Sequence, residues 1–156
     1  MKIRNATIND LKELTKIEAK CFPSEEAATE EDFKARLKVY PNYFWILEDD
    51  FGKIISFVNG MVAGSKNLID EMFENPNLHD ENGDWQMIFG VNTLPEFRRR
   101  GYAEKVLRKV VEDAKSAGRK GVVLTCKDRL VPFYEKIGFV NEGLSESTHG
   151  GAVWYN

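Results

Sequence analysis

The stretch "EFRRRGYAEKVL", residues 96–107, decides how this chain folds. It follows the apolar segment "WQMIFGVNT", which predicts a buried strand, and it opens a run whose apolar residues recur at helical spacing. Three arginines and Gly101 therefore stand between a strand and the first turn of a helix. Unpaired N–H groups and a partial positive charge make a helix N-terminus a binding site for phosphate, and glycine lets a ligand approach the backbone closely. The pattern predicts a pyrophosphate-binding turn.

Other interpretations of the arginine run compete with this one. A charge run is most often a solvated surface turn, and that alternative stays open. A nucleic-acid-binding patch usually accompanies net positive charge, whereas 25 acidic residues here outnumber 22 basic ones, for a formal net charge of -3. The P-loop and dinucleotide-binding motifs require a Gly-Lys-Ser/Thr sequence or further glycines, and neither pattern is present. We therefore expect no nucleic-acid partner.

The rest of the chain alternates between helix and strand patterns. This alternation predicts an α/β or α+β fold with a central mixed sheet. With 156 residues and no linker, repeat or low-complexity tract, we expect a single domain over residues 1–156. Helices are predicted in "INDLKELTKIEAKCF", "TEEDFKARLKVY" (opened by a capping box of Thr29 and Asp32), "LIDEMFEN", the run from Gly101 and "RLVPFYEKIGF", and strands in "KIRNA", "NYFWILED", "KIISFVNGMVA", "WQMIFGVNT", "GVVLTC" and "AVWYN".

Composition narrows the class of protein further. No apolar run approaches the length that a membrane span needs, and the first residues lack the apolar segment of a secretory signal. The two cysteines, Cys21 and Cys126, stand far apart without partners at metal-ligand spacing, which favours reduced thiols. We expect a cytoplasmic protein with no metal site and no membrane partner. The oligomeric state stays open, with a homodimer among the options.

Three motifs together resemble one enzyme family. "RRRGYA", residues 98–103, resembles the acetyl-CoA signature of the GNAT N-acetyltransferases, Arg/Gln-x-x-Gly-x-Gly/Ala. "LVPFYEKIGF", residues 130–139, resembles a later helix of that family, and "CFPSEEAA", residues 21–28, is similar to its arylalkylamine (serotonin) N-acetyltransferase branch. The resemblance implies a mixed, mostly antiparallel central sheet with helices on both faces. Its two central strands, "WQMIFGVNT" and "GVVLTC", would splay apart.

The resemblance also implies acetyl-CoA as the cosubstrate. The pantetheine arm would pair with free backbone groups after a β-bulge, for which Gly90 is a plausible place. The pyrophosphate would bind backbone N–H groups in the turn, with the three arginines as supporting charges. An ordinary core strand is the alternative for the pantetheine segment. The cofactor-binding residues implied are Val91, Asn92, Thr93, Arg98, Arg99, Arg100, Gly101, Tyr102, Ala103 and Glu104.

The implied reaction is direct transfer of acetyl from the thioester to an amine. The developing oxyanion needs a donor and the departing thiolate needs a proton. The resemblance assigns the first task to the backbone N–H of Val91 and the second to Tyr134. A phenol with a pKa of about 10 keeps its proton at neutral pH and can donate it to a thiolate. Packing in the core of a short helix is the alternative for Tyr134.

The proton acceptor is where the chain departs from its relatives. The arylalkylamine enzymes carry two histidines where this chain has Met87 and Phe89, and we expect its own histidines, His79 and His149, at the surface. A carboxylate in the 21–28 segment could hold a cationic amine and take its proton, directly or through water. Of the two candidates, Glu25 and Glu26, Glu26 is preferred, and a solvated face is equally open.

The acceptor is expected to be a small amine, hydrophobic or aromatic. Residues 21–45 are rich in aromatic side chains, which could line a pocket with an acidic rim, although most of them are expected in the core. Two alternatives stay open. The chain could bind acetyl-CoA as a sensor or interaction module without efficient turnover, or it could acetylate a protein or peptide.

Overall fold

The computed structural model describes residues 1–144 and 150–155. It has a mixed α+β fold, as the sequence predicts. In chain order its elements are β1 (Lys2–Asn5), α1 (Leu11–Cys21), α2 (Glu30–Val39), β2 (Phe44–Glu48), β3 (Ile54–Asn59), β4 (Val62–Ala63), α3 (Glu71–Glu74), β5 (Trp85–Ile88), β6 (Gly90–Thr93), α4 (Tyr102–Ser116), β7 (Gly121–Cys126), α5 (Val131–Ile137), β8 (Val140–Leu144) and β9 (Gly150–Tyr155).

The chain divides into two compact units. The first comprises Met1–Asn59 and Gly90–Leu107, and the second comprises Gly60–Phe89 and Arg108–Asn156. The prediction of a single domain is not tested by this division and stays a prediction. Among the described residues, no helix combines the length and the apolar character needed to cross a membrane.

The first unit contains a four-stranded antiparallel sheet in the order β1-β2-β3-β6. The predicted strands "NYFWILED" and "KIISFVNGMVA" contain β2 and β3, which pair as a hairpin across a turn in which Gly52 has a φ of 83°. The predicted capping box of α2 is confirmed, since Thr29 and Asp32 each accept a backbone N–H from the other. Before α1, Thr7 caps a 3-10 turn, so Asp10 precedes the helix without a side-chain capping bond.

The core of the first unit is aromatic. Phe33 of α2 meets Phe44 and Phe57 edge to face, with ring centroids 5.8 and 6.0 Å apart. All three side chains are fully buried. Tyr40 stacks on Phe44, and Trp45 is buried in the same strand. Edge-to-face geometry suits the quadrupoles of the rings, so these aromatics hold α2 against the sheet.

The second unit contains a five-stranded mixed sheet in the order β4-β5-β7-β9-β8. Strands β5 and β7 pair in parallel, and the other neighbours are antiparallel. The apolar strand β7 is almost completely buried. At the end of α5, Gly138 adopts a left-handed conformation at φ 115°, and the N–H groups of Gly138 and Phe139 bond to carbonyls of the last turn.

Two segments predicted as single strands each divide between the sheets. "KIISFVNGMVA" becomes β3 and β4, separated by Gly60, where an added Cβ would lie 1.9 Å from the carbonyl oxygen of Met87. Only glycine permits that approach. "WQMIFGVNT" likewise becomes β5, which pairs with β7, and β6, which pairs with β3. The interruption at Phe89 takes the place of the bulge expected at Gly90.

Candidate active site

The turn before α4 has the backbone geometry of an anion site. Arg99 and Gly101 both have positive φ, at 65° and 81°. The carbonyl of Gly101 accepts from the N–H of Lys105 at 3.1 Å, so Gly101 caps the helix. The N–H groups of Tyr102 and Ala103 lie in the first turn of α4, so no carbonyl within the helix can accept from them. Left-handed residues beside a helix N-terminus turn successive N–H groups to one side, where an anion can bind.

The arginine side chains surround this turn and are exposed. Arg98 donates from Nε to the carbonyl of Thr93 at 3.2 Å. The guanidinium of Arg100 lies over the ring of Phe97, 5.6 Å from its centroid, as does the ammonium of Lys53 at 5.3 Å. A positive φ is uncommon at a non-glycine residue and marks Arg99 as a strained position.

Strand β6 is the last strand of its sheet. The N–H of Leu94 bonds to the carbonyl of Ile55, and hydrogen-bonded pairs alternate along an antiparallel ladder. The backbone groups of Asn92 therefore face β3, while those of Val91 and Thr93 face the outer edge. Outward backbone groups are thus available at Val91 and at the N–H of Thr93, whereas those of Asn92 face β3. The carbonyl of Thr93 already accepts from Arg98 and, at 3.3 Å, from Cys21 Sγ.

The segment that resembles the arylalkylamine branch, residues 21–28, forms a turn after α1. The carbonyl of Pro23 accepts from the N–H groups of Glu26 and Ala27, each at 2.9 Å. The side chains of Glu25 and Glu26 are exposed. We name residues 22–28 the acceptor loop. Its carboxylates can meet a cationic ligand from solvent.

A buried carboxylate lies beside this loop and was not predicted from the sequence. Glu18 of α1 is 6% exposed, and its Oε2 accepts from the N–H of Ala28 at 2.9 Å. Burial raises the pKa of Glu18, against the Ala28 N–H and the charge of Arg36, which lower it. The signal was present in the sequence, because Glu18 stands four residues after Leu14, inside the apolar stripe of the helix.

Tyr134 lies in the second unit, on α5, and is buried. Its ring meets those of Phe133 and Phe139 edge to face, at centroid distances of 5.0 and 5.8 Å. Burial raises the pKa of Tyr134, and so does a negative charge on Cys126. The phenol therefore keeps its proton throughout the neutral range, as a proton donor must.

Met87 and Phe89, which replace the histidine pair, and the chain's own His79 all have structural surroundings. Met87 is fully buried and Phe89 packs on Phe73, with ring centroids 4.5 Å apart, so both have packing roles. The expectation that His79 lies at the surface is wrong: its side chain is 5% exposed, and its Nδ1 accepts from the N–H of Val62. A histidine that completes a backbone bond in the core has a structural role. His149 lies outside the described residues.

The chain belongs to the acetyltransferase (GNAT) family, whose model matches residues 11–139. Among solved structures, it is similar to the GphF GNAT-like decarboxylase in complex with isobutyryl-CoA, at a TM-score of 0.80 and 20% identity over 98% of this chain and 97% of that one. The PaiA N-acetyltransferase of Thermoplasma acidophilum in complex with coenzyme A gives a TM-score of 0.75 at 15% identity, over 99% and 98% of the two chains. These likenesses establish the fold.

A short stretch also matches characterised sequences. Glucosamine 6-phosphate N-acetyltransferase 1 of Oryza sativa subsp. japonica is 40% identical over 47 residues, which are 30% of this chain and 28% of that protein. The probable second rice enzyme of that name is 45% identical over the same shares of the two chains. The match thus covers less than a third of the length of these relatives.

Proposed function

We propose that this protein is an acetyl-CoA-dependent N-acetyltransferase that transfers acetyl directly to the amine of a small acceptor. The observation that carries the proposal is the turn at residues 98–104. There Gly101 caps α4 at a φ of 81°, and an added Cβ at that glycine would find no atom within 4 Å. The space beside the helix N-terminus is thus open to a ligand. Family membership implies acetyl-CoA as that ligand and as the acetyl donor.

The remaining cofactor contacts follow from the edge of β6. In this proposal the pantetheine arm pairs, as a strand would, with the outward backbone groups of Val91 and with the N–H of Thr93, whose carbonyl already accepts from Arg98 and Cys21. The pyrophosphate binds the backbone from Arg99 to Glu104, supported by the side chains of Arg98 to Arg100. Asn92 contributes through its place in the strand rather than through its backbone groups, which face β3.

The chemistry is divided among few groups. The Val91 N–H donates to the oxyanion that forms when the amine attacks the thioester carbon. Tyr134 gives its proton to the coenzyme A sulfur as the carbon–sulfur bond breaks; its raised pKa keeps the phenol protonated until then. Glu26, exposed on the acceptor loop, attracts the cationic amine and helps to remove its proton.

The class of acceptor in this proposal is a hydrophobic or aromatic amine. The similarity of "CFPSEEAA" to the arylalkylamine branch favours a hydrophobic or aromatic amine. Most aromatic side chains of residues 33–45 do not line a pocket for it, because Phe33, Tyr40, Phe44 and Trp45 are buried in the core. The partly exposed aromatic side chains of the region are Phe22, which belongs to the acceptor loop, and Tyr43.

Two other functions have support among the similar proteins. The ribosomal-protein-S18-alanine N-acetyltransferase of Escherichia coli shares the fold, at a TM-score of 0.67 and 15% identity, so a peptide acceptor is an alternative. The GNAT-like decarboxylase shares it at a TM-score of 0.80, so chemistry on an acyl-CoA without an amine is another. A module that binds acetyl-CoA without turnover is a further alternative, which no similar protein named here represents.

An acceptor panel separates these functions. The protein would be incubated with acetyl-CoA and, separately, an arylalkylamine, an aliphatic diamine, glucosamine 6-phosphate and a peptide with a free N-terminus, while free thiol is measured. We expect thiol release that depends on a small amine. Release only with peptide would favour the peptide enzyme. Tight acetyl-CoA binding without release would favour the module. Carbon dioxide released from a separately supplied acyl thioester that carries a free carboxyl group would favour the decarboxylase.

A further inference from the structure

Glu18 is a buried carboxylate to which the proposed mechanism gives no task. It lies in the last turns of α1, in the apolar stripe that also contains Ile17. A carboxylate is costly to bury, and burial raises the pKa of Glu18. An apolar residue would serve the packing of α1 at lower cost. A polar group that stays in the core despite the free-energy cost of its burial usually makes a specific contact there.

The first contact of Glu18 is with the acceptor loop. Its Oε2 accepts the N–H of Ala28 at 2.9 Å, which fixes the end of that loop just before α2 begins. The other end of the loop follows Cys21, whose Sγ donates to the carbonyl of Thr93 in β6. Both ends of the loop are therefore anchored from α1.

The second contact of Glu18 is with strand β6. An added Cβ at Gly90 would lie 3.8 Å from Glu18 Oε1 and 3.4 Å from Asn92 Nδ2. The carboxylate therefore lies beside Gly90 and the Asn92 amide, at a distance where a larger side chain on Gly90 would contact it. Within the described part of the chain, no group meets the strict geometry of a hydrogen bond to Oε1. The Asn92 side chain is nonetheless close enough to act as a hydrogen-bond donor that lowers the pKa of Glu18, so the carboxylate interacts with β6 through Asn92.

The surroundings of Glu18 hold it in this place. Arg36 of α2 is buried and donates from Nη1 to Asn59 Oδ1 at 2.9 Å, next to Gly90 in the ladder. Its positive charge favours the ionised form of Glu18, and the charge of Asp32 opposes it. The carboxylate thus bonds to the end of the acceptor loop, lies beside β6 and interacts with the charge of Arg36 in α2.

We propose that Glu18 is a positioning residue for acetyl transfer, which holds the acceptor loop in a fixed place against β6. Glu26 belongs to that loop and Val91 follows Gly90 in that strand, so one side chain sets the distance between the group that attracts the amine and the group that binds the oxyanion. This inference rests on the proposed function. Misplacement of reacting groups by about 1 Å can lower a rate by about a hundredfold.

The test compares two substitutions of Glu18 with a control on the same helix. Glu18→Gln keeps an oxygen that can accept the Ala28 N–H, whereas Glu18→Met keeps the length of the side chain and removes the acceptor. Glu13→Met alters an exposed residue of α1 and is the control. We expect Glu18→Met to lower kcat/KM for the amine about tenfold or more, with the acetyl-CoA dissociation constant unchanged, and Glu18→Gln to retain most of the activity.

Hydrogen exchange supplies a readout that does not depend on turnover. Amides of residues 22–28 should exchange faster in Glu18→Met than in the unaltered protein. Their exchange rates in Glu13→Met should equal those of the unaltered protein. Gly90→Val, which places a side chain against the same carboxylate from the strand side, should give the same loop exchange. It provides a second variant if Glu18→Met does not fold.

Two results would overturn the inference. Loop exchange unchanged in both Glu18→Met and Gly90→Val would show that the carboxylate does not hold the loop. Loss of turnover in Glu18→Gln as severe as in Glu18→Met would show that Glu18 takes a proton rather than holding a position. A failure of the proposed function looks different: the unaltered protein would then turn over no amine, while hydrogen exchange would still decide whether Glu18 anchors the loop.

Discussion

At the scale of single residues, Tyr134 bears the most specific chemical assignment. Tyr134→Phe keeps the ring and its contacts with Phe133 and Phe139, so the fold and the affinity for acetyl-CoA should survive. Turnover should fall by about 10²–10⁴, the contribution typical of a positioned acid, and the loss should appear in kcat. Steady-state kinetics measure this. Tyr40→Phe removes the hydroxyl of another buried tyrosine and is the control. Near-normal kcat in Tyr134→Phe would leave Tyr134 as a packing residue.

The pH dependence of stability tests the environment of Glu18. Because burial raises its pKa in the folded state, the folded protein binds more protons than the unfolded chain between the two pKa values. Its contribution to stability is therefore full below the unfolded pKa of about 4.5 and is lost as pH rises through the folded value. Urea denaturation across this range should show a decline with pH that Glu18→Gln lacks. Parallel curves for the two proteins would contradict the burial of an ionisable Glu18.

The role of Glu26 is tested through the acceptor. Glu26→Gln should raise the KM for a cationic amine about two- to fivefold, the effect expected of an exposed ion pair, and leave the affinity for acetyl-CoA unchanged. Glu31→Gln, on the exposed face of α2, is the control. The KM should also become less sensitive to salt in the Glu26 variant. Equal KM values and equal salt dependence in the two variants would assign Glu26 to the solvated surface.

Sequence patterns predicted local structure correctly where a capping motif determined it. The capping box of Thr29 and Asp32 formed as predicted, because both bonds are local. Patterns failed for Glu18 and His79, each of which is buried by contacts with residues distant in sequence. A charged residue in a helix is ordinarily assigned to solvent, and only its position in the apolar stripe distinguishes Glu18 from its exposed neighbours.

At the scale of elements, the turn before α4 offers a test with an internal control. Gly101 and Gly52 have nearly the same φ, at 81° and 83°, and an added Cβ at either finds no atom within 4 Å. Valine at either position should therefore bring a similar backbone strain. Only Gly101→Val places a side chain where the pyrophosphate would bind the helix N-terminus. We expect its acetyl-CoA dissociation constant to rise about tenfold or more, since a hydrogen bond to a charged group contributes about 1.5–3 kcal/mol.

Isothermal calorimetry would make this comparison. Gly52→Val should bind acetyl-CoA as the unaltered protein does, although both variants lose stability. Equal affinities in the two variants would mean that the pyrophosphate lies elsewhere. Equal losses of affinity would assign the effect to general destabilisation rather than to the turn.

Strand boundaries show where element prediction from sequence ends. Apolar alternation located the strand segments, but it could not show that two of them divide at Gly60 and Phe89 between sheets. The division at Gly60 depends on close approach to the Met87 carbonyl, which is a tertiary contact. The same limit applies to β6, since the ladder with β3 decides that Val91 and Thr93, rather than Asn92, direct their backbone groups outward.

At the scale of the whole molecule, the alternation of helices and strands predicted the mixed α+β class, and the match to the acetyltransferase (GNAT) family agrees with it. The class follows from periodicity, which is a property of the whole chain. The acceptor does not, because it depends on which few side chains face the ligand. The aromatic residues Phe33, Tyr40, Phe44 and Trp45 illustrate this: their composition suggested a binding pocket, and their packing makes them core.

The most direct test of the central claim is the simultaneous measurement of both products of acetyl transfer. The protein would be incubated with acetyl-CoA and a small amine, and free coenzyme A and the acetylated amine would be quantified in the same samples by mass spectrometry. We predict that the two products accumulate in equal amounts, that neither forms without the amine, and that Tyr134→Phe slows both together. Coenzyme A formed without acetylated amine, or no product with any small amine, would contradict the assignment as an N-acetyltransferase of small amines.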